Sequence, residues 1–160
     1  MTQTQNGKQK QERFYQILDE VKDPEIPVIS IVEMGMVHQI TVEERIIWIQ
    51  VMPTFLGCPA LEMIERSIRE RMLEEPDMDE VFVEFIRDPL WSSERITPIG
   101  REKLAGFGLA TPSIDRLDQV ECPYCQSSGT NLVNLFGSTA CRSIYYCRSC
   151  KEPFEAMKPI

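Results

Sequence analysis

Two Cys-x-x-Cys pairs constrain the fold of this chain more than any other feature of its sequence. Cys122-Pro123-Tyr124-Cys125 and Cys147-Arg148-Ser149-Cys150 are separated by 21 residues. Each pair can present two thiolates from a tight turn, so that four sulfurs surround one tetrahedral ion. The spacing predicts a zinc ribbon over residues 119–160, with iron as the chemical alternative because four thiolates also hold iron. The predicted metal ligands are Cys122, Cys125, Cys147 and Cys150.

The sequence between and after the two pairs predicts an all-β module. Residues 130–136 and 138–146 favour a hairpin around Gly137, and residues 154–157 favour a third strand. About forty residues bury too little apolar surface to fold unaided, so the metal should supply much of the stability. A fifth cysteine, Cys141, lies six residues from Cys147, which is roughly 20 Å on a continuous strand. It should not share the ion, and is either a buried filler or a second reactive thiol.

Charge and hydropathy exclude several classes of function. The 160 residues carry a net charge of −8, from 17 basic and 25 acidic side chains, which disfavours nucleic acid as a partner. Residues 1–118 hold 13 basic and 22 acidic side chains, and residues 119–160 hold 4 and 3, which indicates a boundary near Asp118. No apolar run approaches the ~20 residues of a membrane span. The polar start does not resemble an export signal, so we expect a cytoplasmic protein and metal binding rather than disulfides.

A strand that leads into a helix places Cys58 at a chemically favourable position. Residues 46–51 are β-branched and aromatic, and Leu61, Ile64, Ile68 and Met72 recur at helical spacing. Pro59 suits the first helical position, which puts Cys58 near the N-cap. The positive end of the helix dipole would favour the thiolate and lower the pKa of Cys58. The alternative is a small thiol that only packs.

The remaining segments complete an α/β fold. Residues 1–10 predict a disordered tail, and an amphipathic helix begins at Gln11. Two hairpin strands, the Cys58 helix and a third strand at 81–86 then predict a small mixed sheet covered by two helices. Thr97-Pro98 predicts a helix start, and Gly106 and Gly108 its end. This α/β domain spans residues 11–110, and residues 111–118 form a linker to the all-β zinc ribbon.

Residues 11 to about 110 resemble the small metal-sulfur cluster biosynthesis family. The resemblance implies a functional site made of Asp23, Glu25, Thr54 and Cys58. One motif has Glu33-Met34-Gly35-Met36 in place of the usual aspartate-leucine-glycine-leucine pattern, a conservative change. The matching segments are Asp23-Pro24-Glu25, Glu33-Met34-Gly35-Met36-Val37, Thr54, Gly57-Cys58-Pro59 and Trp91.

Almost the whole chain also resembles the D subunits of bacterial phenylacetyl-CoA epoxidase (ring 1,2-oxygenase) systems. This resemblance implies a non-catalytic accessory protein that matures the oxygenase or its iron-sulfur reductase, which would be its partners. It also places Cys141 in a family motif. The additional matching segments are Thr97-Pro98-Ile99-Gly100-Arg101, Phe136-Gly137-Ser138-Thr139-Ala140-Cys141 and Glu152-Pro153-Phe154-Glu155.

Three functions follow from these observations. The first is a maturation factor with one poised thiol, a carboxylate turn and a structural metal module. The second is an enzyme that uses Cys58 as nucleophile, for which His38, the one histidine, is the available imidazole. The third is a structural or electron-transfer subunit with iron at the ribbon. No glycine-rich cofactor fingerprint is present, and the sequence leaves the oligomeric state open, a homo-oligomer included.

Overall fold

The chain divides into two compact units near its middle. The computed structural model describes residues 2–113 and 119–158, with the backbone alone for residues 2–6. Contacts between Cα positions separate residues 1–90 from residues 91–160. Among the described residues, no helix is both long and apolar enough to cross a membrane.

The boundary lies earlier than the linker predicted at residues 111–118. A short strand, β4 (Leu109–Ala110), pairs in parallel with the last strand of the ribbon, β7 (Pro153–Met157). The second unit therefore contains residues 91–110, which the sequence assigns to the first domain. Charge and composition do not reveal this pairing, because it joins residues more than forty positions apart. Residues 114–118 of the predicted linker lie outside the described residues.

The first unit is a three-stranded sheet with two helices, as the sequence predicts. It contains α1 (Thr2–Leu18), β1 (Val37–Glu43), β2 (Ile46–Val51), α2 (Leu61–Leu73) and β3 (Glu80–Phe85). Strands β1 and β2 form an antiparallel hairpin, and β3 lies parallel to β2, connected through α2. Alternate residues of β2 are buried, namely Ile47, Ile49 and Val51. The helix α1 contacts α2 and β1, and α2 contacts β3, so one face of the sheet forms the core.

Helix α1 begins before the predicted position. The sequence predicts a disordered tail at residues 1–10 and a helix from Gln11, but the helix runs from Thr2. Glutamine and lysine have high helix propensity, which permits this extension. The side chains of Lys10 and Gln11 also donate to the carbonyls of Glu44 and Ile40 at 3.3 and 3.0 Å. These bonds tie the helix to the hairpin, and Phe14 and Leu18 are fully buried at the predicted spacing.

The second unit is an all-β ribbon preceded by one helix. It contains a 3₁₀ turn (Ser93–Arg95), α3 (Pro98–Gly106), β4, β5 (Thr130–Asn134), β6 (Arg142–Cys147) and β7. The four strands lie in the order β4-β7-β6-β5. The predicted helix start is confirmed, because the Thr97 hydroxyl accepts from the Gly100 amide at 3.0 Å and Pro98 is the first helical residue. The predicted hairpin and third strand of the ribbon are confirmed as well.

An ion-pair cluster joins α1 and its following turn to the end of α2. Arg71 donates to Glu75 at 2.8 Å and to Glu20 at 2.7 Å, and Arg13 also contacts Glu75. The Arg71 guanidinium holds the pKa of the Glu75 carboxyl below its ordinary value. A carboxyl with a lowered pKa in the folded state stabilises the protein above its unfolded pKa, and this contribution is lost as the pH falls through the folded pKa.

We therefore expect Glu75→Gln to lower the free energy of unfolding by about 1 kcal/mol at pH 7, since charged hydrogen bonds at a partly exposed site contribute this order of magnitude. The difference from the wild type should shrink as the pH falls from about 7 towards about 2, because Glu75 becomes protonated in both the folded and the unfolded wild type. Urea unfolding at the two pH values measures it. Glu74→Gln is the matched control, because Glu74 lies 3.6 Å from Arg71 but is far more exposed. A pH-independent effect of Glu75→Gln would contradict the electrostatic origin.

Candidate functional site

The four cysteines of the two pairs converge at one point. Their sulfur atoms all lie within 4.8 Å of one another. The sulfurs of Cys122 and Cys150 are 3.7 Å apart, and those of Cys125 and Cys147 are 3.6 Å apart. A tetrahedral ion with metal–sulfur bonds of about 2.3 Å requires sulfur separations of about 3.8 Å. The geometry therefore fits a four-coordinate metal, and the cysteines of the described residues are thiols rather than disulfides.

Two equivalent turns build the cluster. The amide of Gln126 donates to the carbonyl of Cys122 at 2.9 Å, and the amide of Lys151 donates to that of Cys147 at 3.0 Å. Both Gln126 and Lys151 have positive φ angles, of 61° and 67°. This left-handed conformation reverses the chain directly after each pair and returns it to the sheet. Sequence reasoning missed these two residues, because neither is the glycine or asparagine that usually marks such a position.

A cation would stabilise the charges of the cluster. The backbone amide of Cys150 lowers the pKa of the Cys147 thiol to about 6, against the opposing effect of burial. The amide of Glu152 lowers the pKa of Cys150, but burial and the neighbouring sulfurs outweigh it and raise that pKa to about 12. Four thiolates this close disfavour one another's ionisation unless a positive ion lies between them. The donor set and its spacing thus fit a metal with soft, sulfur-binding character.

Cys141 lies outside this cluster. It immediately precedes β6, whereas Cys147 ends that strand. Its side chain is buried, at 8% exposure, and its sulfur is 3.2 Å from the Thr139 hydroxyl. Its carbonyl accepts from the Lys158 amide at 2.9 Å. The described contacts of Cys141 are those of a packed residue at the start of a strand.

The loop before Cys141 is held by Glu155 on β7. The Ser138 amide and hydroxyl donate to the Glu155 carboxylate at 2.5 and 2.9 Å, and Arg142 donates to it at 3.1 Å. A Cβ atom added to Gly137 would lie 2.6 Å from the same carboxylate and 3.2 Å from the Arg142 backbone. Two of the segments that carry the resemblance, residues 136–141 and 152–155, therefore contact each other. Their shared role is to close this loop of the ribbon.

In the first unit, Cys58 lies in a turn before α2. The helix begins at Leu61 and its N-cap is Ala60, which makes no side-chain capping bond. The prediction that Cys58 is near the N-cap with Pro59 at the first helical position is therefore wrong by two residues. The Cys58 amide donates to the Phe55 carbonyl at 3.2 Å, and its carbonyl accepts from Leu61 at 3.3 Å. These bonds form a separate turn, so the helix begins only at Leu61.

The loop around Cys58 is accessible. Cys58 and Thr54 are half-buried, and Phe55 and Leu56 between them are exposed at 39% and 50%. Gly57 is also exposed. The thiol of Cys58 therefore lies in a loop that also exposes two large apolar side chains.

The carboxylate of Asp23 forms part of its own turn. It accepts hydrogen bonds from the amides of Glu25 and Ile26 at 2.8 and 3.0 Å, and the side chain is 9% exposed. A cleft of about 490 Å³ next to Asp23 is lined from α2 by Ser67, Glu70, Arg71 and Glu74. Arg71 lies about 15 Å along the helix from its first residue. Asp23 thus shares a cleft with the second half of α2, whereas Thr54 and Cys58 lie in the loop before that helix.

A second turn explains the Glu33-Met34-Gly35-Met36 segment. The Ser30 amide donates to the Glu33 carboxylate at 2.9 Å, and the Glu33 amide donates to the Ser30 hydroxyl at 3.0 Å. This reciprocal pair is a capping box, readable in the sequence as serine followed by glutamate three residues later. Gly35 ends the turn with a φ of 72°, a conformation that glycine adopts without strain. Glu33 therefore has a structural role in this chain, because its carboxylate helps to close the turn.

Comparison with known proteins extends these observations. Residues 11–85 match the family model described as iron-sulfur cluster assembly protein, and residues 111–158 match the PaaD zinc beta ribbon domain. A protein of Bacillus subtilis named Fe-S protein maturation auxiliary factor YitW is 26% identical over 81 residues, which cover 50% of this chain and 78% of that protein.

Two solved structures share the fold of the first part of the chain. A crystal structure of a domain of unknown function, DUF59, from Bacillus anthracis has a TM-score of 0.59 at 26% identity and covers 63% of this chain and 96% of that one. A conserved hypothetical protein of Thermotoga maritima has a TM-score of 0.51 at 29% identity, covering 58% and 91%.

The whole chain has a relative of matching length. A protein of Escherichia coli K12, provisionally named as the D subunit of 1,2-phenylacetyl-CoA epoxidase, is 38% identical over 152 residues, 92% of each chain. The similarity spans both units, including the four-cysteine ribbon. The chain belongs to the family of 1,2-phenylacetyl-CoA epoxidase D subunits.

Proposed function

We propose that this protein is an accessory factor of a phenylacetyl-CoA epoxidase system that assists assembly of the metal or iron-sulfur centre in the oxygenase or its reductase. The observation that carries the proposal is the union, in one chain, of an iron-sulfur assembly domain and the ribbon typical of epoxidase D subunits. The maturation role in the name of the Bacillus relative supports the same conclusion. The oxygenase and the reductase are the proposed partners.

Within this proposal, the ribbon metal is zinc and is structural. The four thiolates would hold it in a closed tetrahedral site with no open position for substrate. Its contribution is to fix the two turns after Cys125 and Cys150, which are short and lack a large core of their own. The alternative function is electron transfer by iron, which would use the same four cysteine sulfurs as ligands.

Cys58 is the proposed functional thiol. It is half-buried in the loop before α2, so it could bind iron or sulfur in transit while the surrounding loop contacts the client. Thr54 belongs to the same loop. Asp23 and Glu25 are proposed from the resemblance, and the hydrogen bonds of Asp23 make it also a support for its turn. Cys141 is proposed to support the ribbon, because it is buried beside Thr139.

We expect one zinc ion per chain in the purified protein, measured by elemental analysis. Cys147→Ser should lose the zinc and the ordered ribbon, because the ion would retain three of its four thiolates. Cys141→Ser is the matched control just before the same strand and should keep the zinc. A red protein with iron-thiolate absorption would instead favour the electron-transfer function.

The isolated chain should not epoxidise phenylacetyl-CoA, even with a reductant supplied. In this proposal, the chemistry belongs to the oxygenase, and the present chain acts before turnover. Product analysis after incubation with substrate, oxygen and reductant tests this expectation. Turnover by the purified chain alone would overturn the accessory role.

Cys58→Ser should separate folding from function. Serine has nearly the same size, and the site is half-buried, so we expect a stability change within about 0.5 kcal/mol and full zinc content. Cells that carry this variant should produce the epoxidase subunits with less iron and should grow poorly on phenylacetate. Cys141→Ser cells serve as the control and should grow normally. Normal growth of the Cys58→Ser cells would show that Cys58 only packs.

A further inference from the structure

The outward face of the first sheet carries an aromatic centre. Cross-strand pairing places Thr41 beside Trp48 and Trp48 beside Phe82, one row across β1, β2 and β3. The rings of Trp48 and Phe82 are stacked, with centroids 5.9 Å apart and an interplanar angle of 15°. Phe82 is 44% exposed. The opposite face of the same strands forms the core, so these side chains project away from it.

This aromatic row departs from the usual pattern of a one-sided sheet. In such sheets one face packs against the core and carries the apolar residues, whereas the face in contact with water carries polar residues. Here the rings line a depression of about 530 Å³ on the outward surface. Aromatic side chains at the centre of a polar surround are the residues that contribute most to binding at protein interfaces. The stack with Trp48 stabilises the sheet, yet Phe82 remains 44% exposed and available to another molecule.

Carboxylates flank the aromatic row. By strand alternation, Glu80 and Glu84 share the face of Phe82, and Glu43 pairs with Ile46 in the neighbouring row. The Glu84 carboxylate accepts from Gln50 at 3.0 Å. Strands β1, β2 and β3 contain no lysine or arginine. The face is therefore acidic with an apolar centre.

The nearest basic side chain in sequence does not neutralise this face. Arg45, in the turn between β1 and β2, donates to both carboxylate oxygens of Asp79, at 2.5 and 2.6 Å. The positive charge is thus already paired. A partner with basic residues would therefore be complementary to the three glutamates.

The charges select among possible occupants. A second copy that met the same face would bring two sets of three glutamates together, which like-charge repulsion disfavours. Nucleic acid and anionic lipid are disfavoured for the same reason. A polypeptide segment with lysine or arginine on either side of an apolar side chain fits this face. Its apolar side chain would fill the depression, and its basic residues would contact the glutamates at the rim.

We propose that this face, defined by Trp48, Phe82, Glu43, Glu80 and Glu84, binds a basic, apolar-anchored segment of an epoxidase subunit. The inference rests on the proposed function, because it takes the client to be the oxygenase or the reductase. The apolar side chain of the client would lie on Phe82, and its basic residues would contact the glutamates. The face provides recognition, separately from the chemistry proposed for Cys58.

The test is a binding measurement with purified oxygenase and reductase subunits as the probes. Phe82→Thr keeps a residue suited to a strand while removing the anchor, and we expect it to weaken binding at least about tenfold. Glu43→Gln/Glu84→Gln should weaken binding and reduce its dependence on salt, since fewer charges contribute. Met63→Gln is the control, because Met63 is a comparably exposed apolar residue on α2. Retained zinc content and circular dichroism establish that each variant is folded.

The outcomes separate the two proposals. If the wild type binds a subunit and Phe82→Thr binds it equally well, the docking face is wrong and the accessory role stands. If the wild type binds neither subunit, the proposed function fails together with its client. A wild-type dimer that Phe82→Thr converts to a monomer would assign the face to a second copy and overturn the inference.

Discussion

The ribbon depends on bringing four thiolates to one point. Its described core is small and consists of Ala110, Val120, Cys122, Tyr145, Cys147, Phe154 and Ala156. Two members of this core, Cys122 and Cys147, also belong to the four-cysteine cluster, so in the proposed metal site the same side chains would serve apolar packing and metal binding. The turn after each cysteine pair requires a left-handed residue, Gln126 or Lys151, a conformation that costs free energy for a residue other than glycine. Each of these turns brings one cysteine pair into the four-sulfur cluster, and the proposed metal would offset this cost at both turns.

One-sided burial organises the first unit in a different way. Strand β2 buries Ile47, Ile49 and Val51 against the helices, which leaves the residues between them outside the core. Two helices and three strands enclose this apolar core. This arrangement frees the other face, together with the loop around Cys58, for contacts that folding does not require.

Local signals predicted much of this structure, and long-range pairing accounts for most of the rest. The cysteine spacing, the Thr97-Pro98 helix start and the β-branched, aromatic run of β2 are properties of neighbouring residues, so the sequence displays them directly. The pairing of Leu109 and Ala110 with β7 joins distant segments and places these two residues in the second unit. The helix start at Leu61 was missed because the turn at Cys58 competes with helix formation. The extended α1 was missed because Lys10 and Gln11 gain their bonds only when the hairpin is present.

In the candidate site, too, some features were predictable from neighbouring residues and others became visible only in the folded structure. Spacing alone predicted which four cysteines would converge, and their sulfur atoms lie within 4.8 Å of one another, as a tetrahedral ion would require. For Asp23, the described hydrogen bonds explain its presence through the turn that it closes, and Glu33 is explained by its capping box with Ser30. A residue shared with a family can therefore serve the fold rather than the chemistry. Among the residues carried over by resemblance, Cys58 combines a nucleophilic side chain with an accessible loop, and this combination makes its thiol the most informative position at which to separate folding from function.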